Sequence, residues 1–191
     1  MNQTHLLLPH EISAYSRPIS KHIDQDVLFA YIDETERTDI IPAIGGALFK
    51  SIINHIVDKS DNALLDFLLE GGMYPKAYNS TFDGTTEGDT YLAGLKKCAS
   101  YYTLAKIIKG NDGQVTRFGY VEKNSEYSQR PYESEKNAAY REVASIADKY
   151  LAEVLAYLRT YAPLYEDYQN YKCINKGAVV NNRTRYKVIG D

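Results

Sequence analysis

The 191 residues are 44% hydrophobic and 25% charged, enough apolar content for one folded domain with its own core and too much for a disordered chain. Lys and Arg number 22 against 25 Asp and Glu, a net charge of -3, which excludes a global basic field and leaves any nucleic-acid contact to a local patch. Leu6-Leu7-Leu8 ends at Pro9, too short for a signal-peptide core, and no apolar run approaches the length that crosses a bilayer, so a soluble protein is expected.

Residues 1–23 mix His5, His10, His22, Pro9 and Pro18 with apolar residues of no fixed period. They read as an extended N-terminal arm lying on the body or on a neighbour. The body, 24–171, reads as a mainly α-helical bundle. Asp24 or Asp26 caps a helix to about Arg37 that turns Val27, Leu28, Tyr31 and Ile32 inward. Asp39 then caps a short turn that accepts Pro42 early and is broken by Gly45-Gly46. A second helix runs from about Ala47 to Asp58, and a third from about Asp61 to Glu70 ends at Gly71-Gly72.

Met73 to Gly88 carries Pro75, Asp83-Gly84 and Gly88, and reads as a long loop. Asp89 or Thr90 opens a fourth helix to Lys109, stopped by Gly110. After the turn residues Asn111-Asp112-Gly113, Gln114 to Val121 alternates as a strand, and Ser125 to Arg130 could return beside it, so a small hairpin is expected over 114–130.

The longest helical signal runs from Glu133 to Tyr161. Ala139, Val143, Ile146, Tyr150, Val154, Tyr157 and Tyr161 recur at steps of three and four, flanked by Ala147, Leu151, Leu155 and Leu158. At roughly 1.5 Å per residue this is a rod of about 43 Å, a scaffold on which shorter pieces pack. Beyond Pro163, Tyr165, Tyr168 and Tyr171 suggest a short helical turn with an aromatic edge. The tail, 172–191, carries Lys172, Lys176, Arg183, Arg185 and Lys187 with no acid until Asp191. Ala178-Val179-Val180 and Tyr186-Lys187-Val188-Ile189 within it have strand character and could add to a neighbour's sheet.

Motifs for chemistry are sparse. Cys98 and Cys173 form no CxxC and read as free thiols. The histidines, at positions 5, 10, 22 and 55, form no HExxH, and His55 reads as a satisfied edge residue. Asp58 to Leu69 opens like a calcium loop but has Ala63 where Gly is needed and Leu69 where Glu is needed. Asp33, Glu34 and Glu36, Glu133 and Glu135, and Glu166 and Asp167 fall on faces expected to be wet, without shifted pKa values. Asn2, Asn79 and Asn182 open N-x-Thr triplets that have no consequence without secretion. No enzyme signature and no cofactor motif emerges. Eighteen tyrosines with no tryptophan fit half-buried surfaces and interfaces, because the ring is apolar and the hydroxyl needs a partner.

The order of Tyr31-Ile32, then Asp39 to Phe49 with its Pro42-Ala43-Ile44-Gly45 turn, then Leu95 to Ala105, a hairpin and the long helix resembles the small helical head-tail connector proteins of tailed phages, also called adaptor or head-completion proteins, in particular those of Bacteroidetes phages and prophages. The resemblance covers about residues 25–165. It implies a virion protein at the portal vertex, made in the host cytoplasm, forming a ring commonly of twelve copies that joins the portal protein to neighbouring neck or tail proteins and continues the DNA channel. No metal, nucleotide or catalysis is implied. On this reading Tyr165, Tyr168, Tyr171, Val179, Val180, Tyr186, Val188 and Ile189 dock on partners, and Lys172, Lys176, Arg183, Arg185 and Lys187 face channel DNA or an acidic partner. The rival is a small helical nucleic-acid-binding or regulatory module that uses the basic tail.

Overall fold

The computed structural model describes residues 5–20, 23–75, 89–110, 113–116, 119–122 and 133–168. Within them the chain is mainly helical, with one long helix in its C-terminal half and a small antiparallel hairpin, the class read from the sequence. Inside the stretch read as an extended arm, α1 spans Pro9–Tyr15. Pro9 occupies the first turn, where its missing N–H costs nothing, and the Glu11 carboxylate accepts from the Leu8 N–H at 2.7 Å. Leu6, Leu7 and Ile12 are fully buried. Their spacing shows no period because one segment is irregular and the next helical, so the arm's role as a core element is invisible to pattern counting.

Helix α2 (Gln25–Thr35) is capped by Asp24, whose side chain accepts from the Asp26 N–H. Leu28 and Ile32 point inward as expected, whereas Val27 is 38% exposed. The helix does not stop at Arg37. It runs on through a π-helical turn, Glu36–Ile40, into α3 (Ile41–Ile44), so Asp39 lies inside a helix and caps nothing. Gly45, at φ 90°, ends this run and α4 (Gly46–Asp58) follows. Lys59 closes α4 in the left-handed conformation, and the Asn62 side chain caps α5 (Ala63–Glu70) by accepting from the Leu64 and Leu65 N–H groups.

Strands β1 (Gly72–Pro75) and β2 (Asp89–Leu92) pair antiparallel with Met73 opposite Tyr91. The long loop is thus closed at its base by a ribbon, and the residues expected to open the fourth helix are a strand instead. Two glycines explain the change. Gly71 (φ +80°) and Gly94 (φ +85°) lie back to back, and a Cβ on either would fall within 3 Å of backbone atoms of the other's corner. Helix α6 (Leu95–Gly110) therefore begins only after Gly94.

Strands β3 (Gly113–Thr116) and β4 (Gly119–Glu122) form the hairpin, with Gln114 opposite Val121. The stretch expected as one strand folds back on itself between Thr116 and Gly119. The expected return strand, Ser125 to Arg130, lies outside the described residues. Helix α7 (Glu133–Thr160) has 28 residues, about 42 Å at 1.5 Å per residue. Its inward stripe is Val143, Ala147, Val154, Tyr157 and Leu158; Ala139, expected inside, is exposed.

Helix α6 is the hub. It packs along α7 on one side and against α1, α2 and α5 on others, and Leu95, Cys98, Ala99, Ser100, Tyr102, Thr103, Leu104, Ala105 and Ile107 are all buried. The long helix is one wall of the core rather than the element around which everything packs.

Candidate interaction surfaces

The chain uses the C-terminal aromatic edge, expected to dock on partners, internally. Pro163 sits in a 3-10 turn, Ala162–Leu164, that reverses the chain after α7. The Tyr165 hydroxyl then donates to the Leu64 carbonyl at 2.9 Å and lies 3.2 Å from the Tyr157 hydroxyl. Tyr165 and Tyr168 are 4% and 5% exposed, so these two residues are corrected from partner contacts to core residues. Ser51 donates to Asp167 at 2.5 Å and pins the segment after that turn to α4. Tyr171, Lys172, Lys176, Val179, Val180, Arg183, Arg185, Tyr186, Lys187, Val188 and Ile189 lie outside the described residues, as does Cys173.

Around Tyr157 the rings of Phe67, Tyr74, Tyr161 and Tyr165 stack at centroid distances of 4.9 to 6.1 Å. Tyr74 is the inner face of the β1–β2 ribbon, meeting Tyr157 edge-on at 5.1 Å. Opposite it on the ribbon's outer face, Met73 and Tyr91 are 60% and 52% exposed and directly paired in register. A second apolar pair, Leu64 and Leu164, borders a cleft of about 210 Å³ floored by Leu48, Leu65 and Tyr165. From Glu133 to Glu142 no residue of α7 is buried. The described surface thus offers two apolar pairs.

Polar groups converge in two places. His55, buried at the end of α4, is bonded through Nδ1 to the Ser60 hydroxyl at 2.7 Å and through Nε2 to Asp66 at 2.8 Å. It is satisfied, as read from the sequence, and it staples α4 to α5. Beside it a cleft of about 320 Å³ holds Lys96, whose ammonium is shared by Glu70 at 2.7 Å and Glu11 at 3.4 Å.

The second place corrects the sequence reading. Glu36 was expected on a wet face and is 4% exposed. Its Oε1 accepts from the Leu6 N–H at 2.6 Å and its Oε2 lies 2.9 Å from His5 Nδ1. Burial pushes its carboxyl above the usual glutamate value, against the opposing pull of His5 and the Leu6 N–H. The signal was present in the spacing: Ile32, Glu36 and Ile40 recur at steps of four, and both isoleucines are buried.

Residues 40–178 match a family model, roughly three-quarters of the chain. The chain belongs to DUF6712, a family of unknown function. The DUF6712 match begins at the last residue of the π-helical turn and takes in α3 to α7 with both ribbons. Helices α1 and α2, with the Glu36 contacts, precede it. No curated protein and no solved structure matches the chain.

Proposed function

We propose that this protein is a structural connector subunit of a tailed-phage neck, which assembles into a ring at the portal vertex, joins the portal to adjacent neck or tail proteins and continues the DNA channel. The observation that carries the reading is the order of elements: a proline-containing turn ended by Gly45, a buried central helix, a hairpin and a long helix, in the sequence order on which the resemblance to head-tail connectors rests.

The surface supports it. A ring built head to tail needs two different patches on each subunit, and Met73 with Tyr91 and Leu64 with Leu164 are two apolar pairs on different elements. Partner docking by the tail remains part of the proposal through Val179, Val180, Tyr186, Val188 and Ile189, while its five basic residues face DNA or an acidic surface. The reading assigns the protein no catalytic step.

Quantitative mass spectrometry of purified particles tests it. A fixed small ratio of this chain to the portal protein is the expected result. Complete absence from mature particles would overturn the connector reading in favour of a small nucleic-acid-binding module, whose duplex binding would fall steeply with salt and vanish on removing residues 172–191.

A further inference from the structure

The N-terminal segment meets α2 at a cluster of three potential metal ligands. His5, Asp33 and Glu36 each bring a ligand atom to one spot, all within 4.8 Å of one another. Asp33 and Glu36 are three residues apart on a continuous helical run and therefore share a face. His5 comes from a segment 31 residues away in sequence from Glu36. Each carboxylate already has one oxygen oriented by a separate donor: Leu6 N–H holds Glu36 Oε1 at 2.6 Å, and Arg37 Nε holds Asp33 Oδ1 at 2.8 Å. The His5 ring leans on Phe29 at a centroid distance of 5.7 Å. Donors that fix ligand orientation from behind are what metal sites require in addition to the ligands themselves.

Charge argues in the same direction. Two carboxylates meet here, one with its side chain 6% exposed. Arg37 serves Asp33 from a position 72% exposed, where solvent screens it. A divalent cation would offset the buried carboxylate directly.

We infer that His5, Asp33 and Glu36 bind a first-row divalent transition ion, zinc being the probe of choice, and that the ion fastens the N-terminal segment to the helical body. One imidazole with two carboxylates suits zinc or cobalt and disfavours magnesium and calcium, which take oxygen alone. Bonds of about 2.0 to 2.2 Å place ligand atoms about 3 to 3.5 Å apart, so small side-chain rotations close the site. His5 gives up its hydrogen bond to Glu36 Oε2 and carries its proton on Nε2. Nδ1 and one oxygen from each carboxylate then face the ion, and water completes the shell. The site lies before the family-matched residues and does not depend on the connector reading.

Full-length protein freed of metal by a chelator is titrated with Zn²⁺ by calorimetry and with Co²⁺ by visible absorption, alongside His5→Gln and Asp33→Asn. Both substitutions fall on partly exposed residues, so the fold survives them, whereas Glu36→Gln alters a buried group and serves only if its circular dichroism matches wild type. The expected result is one ion per chain, a rise in melting temperature with Zn²⁺, and affinity at least about tenfold weaker in each of the two variants. Wild-type binding no tighter than about 1 mM would overturn the site. So would an unchanged affinity in either variant, because that places the ion elsewhere on the chain.

Discussion

At the scale of single residues, the tyrosines show how a polar aromatic serves a core. Tyr102 donates to Asp148 at 2.6 Å and Tyr165 to the Leu64 carbonyl, and burial pushes both phenols well above their ordinary value of 10.0. A raised folded value means the contribution to stability is full below pH 10 and is lost as pH climbs through the folded values, because the unfolded chain ionises first. Alkaline denaturation should therefore be steep, and Tyr102→Phe or Tyr165→Phe should flatten it while costing about 1 kcal/mol at neutral pH, both read from urea melts across pH. Ser100 is the opposite case. It is fully buried, and its hydroxyl is the one buried side-chain polar atom without a hydrogen-bond partner among the described residues. Ser100→Ala should raise stability by about 1 kcal/mol; a loss in the urea midpoint would mean that the hydroxyl has a use. Gly94→Ala should cost about 3 kcal/mol or more, since its φ of +85° is strained for alanine and the new Cβ would lie 2.6 Å from backbone atoms of Leu69 and Glu70.

At the scale of elements, the division of labour between α6 and α7 follows from what each buries. Helix α7 keeps one wet face and one apolar stripe, the pattern that periodicity detects. Helix α6 is enclosed by α1, α2, α5 and α7, so its buried positions lie all round and include Ser100 and Thr103. Thr103 satisfies its hydroxyl on the Ala99 carbonyl at 2.9 Å, a bond that lets a polar residue sit inside. The N-terminal segment completes the enclosure. Leu7→Ala should destabilise the protein by about 2 to 5 kcal/mol, as for any fully buried leucine, and chemical denaturation would reveal it. A change under 0.5 kcal/mol, the range of surface positions, would show that the segment is not part of the folded unit.

At the scale of the whole molecule, the apolar pairs left on the surface are the features that ask for a partner. If subunits join head to tail through the β1–β2 ribbon, Tyr91→Asp should abolish rings in native mass spectrometry while leaving the monomer's melting temperature within about 2 °C, because Tyr91 is half exposed. Rings that persist in that variant would move the contact to Leu64 and Leu164. Thermal melting separates this from misfolding.

The sequence by itself determined the helices with their boundaries near Gly45, Asp58, Gly71, Gly110 and Thr160, because caps, glycines and amphipathic spacing are local physics written in neighbouring residues. It also determined the satisfied role of His55 and the existence of a hairpin after Gly113. Only the tertiary structure decided which wall each element joined. The burial of Leu6 and Leu7, the partners that hold Glu36 inside, the strand at Asp89–Leu92 and the inward turn of Tyr165 and Tyr168 all depend on groups distant in sequence. Local pattern cannot register such partners, since a carboxylate or a phenol is stable inside only when its hydrogen-bonding groups arrive from elsewhere in the chain.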